Sequence, residues 1–489
     1  MNTALIIILS VIIVSSLIGV FARRQVKMNL EMWTVGGRRF GLVLIWFLMA
    51  GEIYTTFTFL GASGWAYSKG APTFYIFIYG VLAYTVSFFL LPVIWRLGKR
   101  HGLQTQPDYF IHRYHSPALG IAVAVIGVVS ILPYLQLQLT GLGLIVHEAS
   151  NRTISANTGM FISFFLTCLF VYTSGIRGSA WVSGLKNVMM IVAVLVVGFS
   201  VPHIYFGGIG PMFQKLLQQH PGHLVFPGAT TNLDVLWVMS TVLLFSVGFY
   251  MWPHSFAAAF SAKNADTLKK NAIIMPFYQL PLLLVFFVGF TALLVLPGLP
   301  NTDLAFLALV NKTYSAWFMG FVGAAGAVTA MVPASVLVLF ASTIVAKNVY
   351  QTGFNPGASP EQVMKLSRFM VLVITAFALL FAIYLPKALV NMLLIGYDGV
   401  SQLFPAVLFG LFWKRVRARA VWVGLVAGIG LVTFLVMGGH DPLWGMNAGF
   451  LALVANFALT WLVSVVGAEK KMLHAPMTSD SVPGDEICS

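Results

Sequence analysis

The chain has 489 residues, of which 59% are hydrophobic and 9% are charged. This composition excludes a water-soluble globule and indicates an integral membrane protein. The two cysteines, Cys168 and Cys488, are far apart in the sequence, so they predict neither a disulfide framework nor a metal cluster. There is no phosphate-binding glycine loop followed by Lys-Ser/Thr and no His-Glu-x-x-His motif, so we expect neither enzyme activity nor a cofactor.

The predicted membrane spans are apolar stretches, because about 20 apolar residues of helix cross a bilayer core. Thirteen such stretches lie at residues 3–22, 40–68, 72–95, 118–146, 157–173, 180–206, 234–256, 272–297, 316–346, 367–386, 388–413, 420–437 and 446–467. The first stretch lacks a basic n-region and a small-residue cleavage site, so we interpret it as a retained helix. The polar residues 473–489 predict a disordered cytoplasmic tail.

The formal net charge of +14 indicates topology rather than a nucleic-acid partner, since the side of the membrane on which Lys and Arg lie matters more than their sum. Threading the spans alternately with the N-terminus outside places 22 of the 28 Lys and Arg inside. The sequence therefore predicts a multi-pass protein of a bacterial-type inner (plasma) membrane, with the N-terminus outside and the C-terminus in the cytoplasm.

Two of the predicted spans contain residues that interrupt a helix. The second carries three glycines, among them Gly51, and the seventh carries Gly248 and Pro253. Unwound backbone inside a membrane is tolerated only where it is buried in protein or lines a cavity. The two spans stand five apart, so each opens a block of five and the second block is inverted, as in transporters with inverted repeats. Glycine and proline are also frequent in membrane helices without such a role, and that interpretation stays open.

These blocks give the predicted organisation of the chain. It comprises an N-terminal helix and cytoplasmic loop (1–39), a first five-helix block (40–207), an outer loop (208–233), a second, inverted five-helix block (234–413), two C-terminal helices (414–472) and the tail (473–489). No stretch is left over for a soluble domain.

A carboxylate stands beside the first break, in "LIWFLMAGEIYTTFTF" (44–59). Placing Glu52 inside a bilayer costs about 2.5 to 3.5 kcal/mol on insertion scales, so residues of this kind usually face a cavity and mark an ion or proton path. As a proton carrier, Glu52 would load and release the ion that drives transport. The alternative is a structural Glu held by backbone N–H groups or by a lysine.

Several segments resemble the sodium/solute symporter family. "QLFPAVLFGLFWKRVRARAVWVGLVAGI" (402–429) is similar to its tenth core helix and following loop. "FLGASGWAYSKG" (59–70) resembles the end of its first core helix, "GLQTQPDYFIHRYHS" (102–116) its second loop, and "PYLQLQLTGLG" (133–143) part of its third core helix. The resemblance implies an all-α, LeuT-type fold with two inverted five-helix repeats, one helix before them and two after. "MWPHSFAAAFSAKN" (251–264) is most similar to the family's bacterial monocarboxylate permeases.

In the family, sodium is bound by backbone carbonyls of the first core helix and by one carbonyl and two hydroxyls of the eighth. Aligned without gaps, the carbonyl positions fall on Gly51, Tyr54 and Thr329. The two hydroxyl positions fall on Val332 and Pro333, which offer no hydroxyl. The resemblance therefore predicts that the usual sodium site is dismantled, unless a shift of register brings Ser335 into it.

Lys186 lies near the start of the fifth core helix, close to where family members carry an Asp beside the sodium site. Its ammonium group could occupy the vacated site, as in proton-coupled transporters of this fold. The competing interpretation is a long side chain that reaches toward the membrane surface. Glu52 and Lys186 are thus the predicted coupling-ion residues, with H+ favoured over Na+.

The predicted substrate contacts are polar or aromatic side chains near the breaks and in the third core helix, namely Thr55, Tyr134, Gln138, Ser246 and Trp252. Hydrogen bonding between helices is the alternative role for Gln138. Asp398, in the tenth core helix, either contacts the outer gate or pairs with a neighbouring polar group. His147 and His254 lie near span ends, which favours interfacial histidines over proton relays.

The sequence therefore predicts a secondary-active symporter that imports a small, monocarboxylate-like organic anion by alternating access and is coupled to protons. One alternative is a sodium-coupled symporter whose cation site is rebuilt from oxygens such as those of Thr329, Ser335 and Thr55. Another is a substrate sensor or channel on the same scaffold. The expected partners are a small-molecule organic acid and the lipid bilayer, without an obligate protein partner or nucleic acid.

Overall fold

The computed structural model describes residues 3–23 and 29–472. Over this part of the chain the secondary structure is helical, with two isolated β-bridges. The predicted tail, residues 473–489 with Cys488, lies outside the described residues. Cys168 is buried and free.

The apolar helices are labelled α1–α13 in chain order. Their bounds are α1 Thr3–Arg23, α2 Leu42–Gly51 with Ala62–Ser68, α3 Tyr75–His101, α4 Pro117–Ala149, α5 Ala156–Tyr172, α6 Gly175–Phe206, α7 Val235–Gly248 with Pro253–Ala258, α8 Ala265–Val295, α9 Ala316–Ile344, α10 Pro360–Tyr384, α11 Leu389–Phe412, α12 Ala418–Met437 and α13 Ala448–Met472. Within the described ranges, ten are each long and apolar enough to cross a membrane, and the bent α7 makes an eleventh. Because α2 and α5 are shorter, the number of thirteen spans stays a prediction.

Local sequence signals account for where several helices begin. Asp234 caps α7 by accepting a hydrogen bond from the backbone N–H of Trp237 at 3.0 Å. Thr105 and Asp108 form a reciprocal capping box at the start of the short helix Gln106–Tyr114. Such caps satisfy backbone N–H groups that have no partner inside the helix. The bounds of these helices are therefore set by side chains rather than by apolarity alone.

Helix α9 is the most buried of the long helices, with 94% of its most apolar stretch inside the protein. A helix that is apolar on all sides is expected to lie in the interior. Gly320 and Gly323 let α1 approach it closely, since a Cβ at either glycine would come within 2.8 Å of Ile7 or Ile8. The two predicted blocks of five spans correspond to α2–α6 and α7–α11, with α2 as the first core helix and α11 as the tenth.

Both predicted helix breaks are confirmed. Helix α2 stops at Gly51, and after a short non-helical segment it resumes as a π-helical turn, Phe57–Gly61. Helix α7 bends by 51° at Trp252, whose φ and ψ of −57° and 130° are not helical. Proline at 253 favours this geometry, because the residue before a proline is pushed away from the helical region.

The molecule has two polar faces. The Lys69 face is defined by Lys69, Asn232, Lys387 and Asp441, which lie around one cavity. The Lys347 face is defined by Lys347, which contacts Asp108 at 2.6 Å and Gln104 at 3.3 Å.

Candidate functional site

The breaks of α2 and α7 lie side by side and enclose a small central cavity of about 20 Å³. Its walls come from both breaks and from α3, α4, α8 and α11; they include Glu52, Ile53, Thr55, Tyr79, Tyr134, Trp252, His254, Gln279 and Tyr397. A polar cavity of this size holds about one water molecule. The cavity is therefore nearly closed in this conformation.

Threonine side chains satisfy the backbone of the unwound segment of α2. The Thr58 hydroxyl donates to the carbonyl of Ile53 at 2.7 Å and accepts from the N–H of Thr55 at 2.8 Å. The Thr56 hydroxyl donates to Oε1 of Gln138 on α4 at 2.8 Å. Lipid offers no such partners, so these hydrogen bonds are what allows helix α2 to unwind in the membrane interior.

Glu52 is the first residue of the unwound segment, and its side chain is only 8% exposed. Its Oε2 lies 3.3 Å from Nε2 of His254, across the gap between the two breaks. Among the described residues, neither carboxylate oxygen has a partner with hydrogen-bond geometry. A buried carboxylate held only by a nearby imidazole is costly unless it takes up a proton or contacts a ligand.

Lys186 lies on α6 and is completely buried. Its Nζ donates a hydrogen bond to the backbone carbonyl of Gly51, at the last turn of the first half of α2. A Cβ at Gly51 would lie 2.6 Å from Oγ of Ser183, one turn before Lys186, so glycine permits this close approach. Lys186 also lies within electrostatic range of Glu52. The structure thus brings a lysine, a carboxylate and a histidine around one break.

The sodium-site positions predicted on α9 are all buried. Val332 and Pro333 offer no side-chain oxygen, and the Thr329 hydroxyl has no hydrogen-bond partner among the described residues. Ser335 donates to the carbonyl of Val332 at 2.6 Å and lies 2.9 Å from the hydroxyl of Ser179. Of the three carbonyls predicted to bind sodium, that of Gly51 accepts a hydrogen bond from Nζ of Lys186. Tyr54 is buried, with its hydroxyl donating to the carbonyl of Tyr278 at 3.1 Å.

The five predicted substrate contacts divide into two groups. Thr55, Tyr134 and Trp252 line the central cavity, and the Tyr134 and Trp252 rings pack with their centroids 5.2 Å apart. Gln138 is not in the lining because its amide oxygen accepts from Thr56. Ser246 donates to the carbonyl of Val242 in its own helix at 2.6 Å and to the carbonyl of Tyr79 on α3 at 3.3 Å, and it is also outside the lining. These last two side chains join helices, which is the alternative role for Gln138.

The interpretation of His254 as an interfacial histidine is wrong. The side chain is 2% exposed, lines the cavity and faces Glu52. The bend at Trp252 is the reason, because it turns the residues after it toward α2. Sequence reasoning also missed Tyr79, Tyr397 and Gln279, whose helices carry no signal that distinguishes their cavity-facing side from the rest.

Asp303 lies on the Lys69 face, in the loop between α8 and α9, and is 5% exposed. Its Oδ2 accepts from the backbone N–H of Leu389 at the start of α11, at 3.1 Å. Burial raises the pKa of this carboxyl to about 6, and the hydrogen bond from Leu389 opposes that shift. Asp303 therefore ties the loop to α11.

Asp108 ties the Lys347 face together. Burial by itself would raise the pKa of its carboxyl, but Lys347 and hydrogen bonds from Gln104 and Asn348 outweigh burial and hold the pKa below its usual value. Next to it, Gln106 donates to the carbonyl of Met251 at 2.7 Å, one residue before the break in α7. The short helix Gln106–Tyr114 thus connects the π-helical segment Val345–Phe354, which follows α9, with the broken helix α7.

Comparisons with known proteins agree with this architecture. The family model for the sodium:solute symporter family matches residues 33–428. Two Bacillus subtilis proteins named as uncharacterized symporters are similar to the chain: YhjB is 46% identical over 97% of this chain and 99% of its own, and YodF is 36% identical over 92% of each. A monocarboxylate transport permease protein of Rhizobium johnstonii is 29% identical over 97% of this chain and 99% of its own.

Solved structures show the same fold. A Na+-coupled sialic acid symporter, in a substrate-bound outward-open state, has a TM-score of 0.77 at 18% identity, covering 98% of this chain and 99% of that one. Mhp1, a nucleobase-cation-symport-1 family transporter, has a TM-score of 0.54 at 13% identity, covering 93% and 98%. The expected all-α, LeuT-type fold is thereby confirmed, and it is a fold of transporters rather than of enzymes. From this fold and from a match over most of its length, the chain belongs to the sodium:solute symporter family.

Proposed function

We propose that this symporter imports a small organic anion of the monocarboxylate class together with a proton. The observation that carries the proposal is Glu52. It is a buried carboxylate without a hydrogen bond from any described residue, 3.3 Å from His254, in the wall of the cavity between the two helix breaks. A carboxylate at this place repels an anionic substrate strongly, because charges in a dry site are poorly screened. A proton on Glu52 removes the repulsion, so the proton and the anion are expected to bind together.

The contact of Lys186 with Gly51 supports protons over sodium. In the alignment to the family, the Gly51 carbonyl is a sodium ligand, and here it accepts a hydrogen bond from an ammonium group. A protonated Lys186 at this position would repel a sodium ion. In this proposal Lys186 takes the place of the cation, while Glu52 carries the transported proton.

The monocarboxylate class is supported by the name of the Rhizobium johnstonii relative and by the lining of the cavity. His254 can donate a hydrogen bond from its imidazole ring, and Tyr134 and Thr55 can donate from hydroxyls. Trp252 provides an apolar wall for a short carbon chain. One anionic head and a small apolar body fit such a site better than a polyol does.

We further propose that the Lys347 face is cytoplasmic and the Lys69 face is outside, as the distribution of Lys and Arg indicates. Phe40, before α2, and Ala262, after α7, form a parallel β-bridge in which Phe40 N–H donates to Ser261 at 3.0 Å and Lys263 N–H donates to Phe40 at 2.9 Å. This bridge ties the cytoplasmic halves of both broken helices. They are expected to swing as one unit when the cavity opens inward.

A sodium-coupled symporter is the second candidate. It is favoured by the family to which the chain belongs and by the Thr329 hydroxyl, which is buried and has no hydrogen-bond partner in the described part of the chain. Such a site would need oxygens of Thr329, Ser335 and Thr55. Ser335 would have to give up its present hydrogen bonds to take part.

Uptake into proteoliposomes tests the proposal. Labelled lactate and pyruvate are offered with an inward proton gradient or an inward sodium gradient, to the wild type and to Glu52→Gln. We expect accumulation with the proton gradient alone and its loss in Glu52→Gln, which keeps the shape of the side chain but cannot carry the proton. Accumulation that requires sodium and persists in Glu52→Gln would establish the second candidate, and equilibration without accumulation would indicate a channel.

A further inference from the structure

A second cavity, of about 480 Å³, opens on the Lys69 face between the ends of α2, α7, α11 and α12. Lys387, Asn391 and Asp441 in its wall are exposed, so water reaches it. Asp398 of α11 also lines this cavity and is only 3% exposed. The preceding residue in the chain, Tyr397, lines the central cavity. Asp398 and Tyr397 thus connect the outer cavity to the transport site.

Asp398 is a buried carboxylate that is not neutralised by a contacting cation. Its Oδ1 has no hydrogen-bond partner and it forms no salt bridge among the described residues. The side chain of Asn447 donates to it, and Asp441 is a second carboxylate nearby. Acidic groups inside a membrane protein usually mark ion or proton paths. A proton on Oδ1 would relieve both the burial of charge and the repulsion by Asp441.

The groups around Asp398 favour a proton rather than a metal ion. Lys69 from the end of α2, Lys387 before α11 and Asp441 before α13 face the outer cavity, and Tyr75 on α3 faces the carboxylate. Asp398 also lines an adjoining cleft between α4 and α12. The residues that these two helices contribute to the wall of the cleft are uncharged. Within the described residues, no group of three or more His, Cys, Asp or Glu could bind a metal ion. One proton needs only the single free oxygen that Asp398 offers.

Three buried tyrosines, Tyr75, Tyr79 and Tyr397, lie between Asp398 and the central cavity. Tyr75 is completely buried, and its hydroxyl has no hydrogen-bond partner in the described part of the chain. Its ring centroid lies 6.0 Å from that of Tyr79, which is in turn 6.0 Å from that of Tyr397. The hydroxyls of Tyr79 and Tyr397 lie close to each other, and either can donate to the other. Tyr79 and Tyr397 both line the central cavity with Glu52, and that cavity has room for one bridging water.

We propose that Asp398 takes up the transported proton from the outer cavity and that the hydroxyls of Tyr75, Tyr79 and Tyr397 pass it to Glu52. For each transfer the donor and acceptor oxygens must first come within hydrogen-bond distance. The proton then leaves Oδ1 of Asp398 for the hydroxyl oxygen of Tyr75 as that hydroxyl gives its own proton to the next. Each tyrosine ends neutral, Asp398 ends as a carboxylate, and Glu52 ends as a neutral acid. This relay rests on the proposed function, in which Glu52 carries a proton and the Lys69 face is outside.

The test compares net uptake with counterflow in proteoliposomes containing lactate or pyruvate. Counterflow exchanges internal for external substrate without net proton transfer, so it reports on the substrate site and the fold. We expect Asp398→Asn and Tyr75→Phe to lower proton-driven uptake by at least about 10-fold while counterflow stays within about 2-fold of the wild type. Uptake by Asp398→Asn should also lose the wild-type increase at acidic external pH.

Two matched variants serve as controls. Asp303→Asn changes another buried carboxylate with an unpaired oxygen, and Tyr278→Phe removes another buried hydroxyl that lacks a partner among the described residues. Neither lies in the proposed relay, so both should retain uptake and counterflow.

Wild-type uptake and pH profile in Asp398→Asn would overturn the relay, and so would an equal loss of uptake and counterflow. If Glu52→Gln abolishes proton-driven uptake while Asp398→Asn leaves it intact, only the relay fails. If the wild type shows no proton-driven uptake, the proposed function fails.

Discussion

Replacing Lys186 by methionine removes the charge in contact with the break of α2. The lysine is completely buried and donates to the Gly51 carbonyl, while Glu52 lies within its electrostatic range. Methionine has a similar length and no donor. In Lys186→Met the carbonyl loses its partner, and ionised Glu52 loses a favourable charge. Both effects are expected to slow the transport cycle in which Glu52 carries the proton.

The expected magnitude follows from the hydrogen bond that is lost. A hydrogen bond to a charged group contributes about 1.5 to 3 kcal/mol, which corresponds to about 10- to 150-fold in rate if it acts fully in the rate-limiting state. Folding should suffer less, because methionine also avoids the free energy needed to bury an ammonium group. A large loss of transport with a small change in melting temperature is therefore expected.

The assay is the initial rate of proton-driven uptake per reconstituted protein, with thermal unfolding in detergent measured alongside. Lys215→Met is the matched control, because Lys215 is exposed and lies on the short helix Ile209–Gln219, away from the central cavity. A wild-type rate in Lys186→Met would refute the role of this contact in transport. A loss of rate that parallels unfolding would assign the lysine to stability instead.

Three further predictions concern stability, each measured by thermal unfolding. Asp108→Asn loses the ion pair with Lys347 and should lower the melting temperature at neutral pH. Because the pKa of Asp108 is depressed, the wild-type advantage should be lost as pH falls below 3.8, and an unchanged melting temperature at neutral pH would contradict this. Burial raises the pKa of Asp303 from 3.8 to about 6, so the wild type should lose stability as pH rises through that window, and Asp303→Asn should lose less; parallel pH profiles would refute this. Gly70 has a φ of +78°, and a Cβ there would lie 2.9 Å from Cα of His223, so Gly70→Ala should cost more than about 1 kcal/mol, and wild-type stability would count against it.

The backbone breaks were the most predictable part of the site. Gly51 and Pro253 act through local backbone geometry, which sequence reveals directly. The two breaks lie five spans apart, and because five is an odd number this spacing predicts that the second repeat is inverted relative to the first. The number of spans was less secure, because α2 and α5 are too short in the described structure to meet the length expected of a full span.

Side-chain partners were less predictable, because they depend on which faces of the helices meet. The resemblance to the symporter family points to Lys186. Its contact with Gly51, however, depends on how closely α6 approaches the break of α2, which the sequence does not reveal. The sequence places His254 wrongly because Pro253 predicts the bend but not the direction in which the residues after it turn. Gln138 is polar and close to the site, yet its amide is already bound to Thr56. The sequence alone does not distinguish a polar side chain that is hydrogen-bonded to a neighbouring helix from one that faces a cavity.

The most direct test of the central claim is whether protons enter with the substrate. A pH-sensitive dye is enclosed in sodium-free proteoliposomes without a proton gradient, and lactate or pyruvate is added outside, with protein-free liposomes as the control for passive entry of the acid. Acidification of the lumen by the wild type beyond this control, and its absence in Glu52→Gln, is the result that proton symport through Glu52 predicts. Acidification no greater than in protein-free liposomes, together with sodium-dependent uptake of the same substrates, would contradict it.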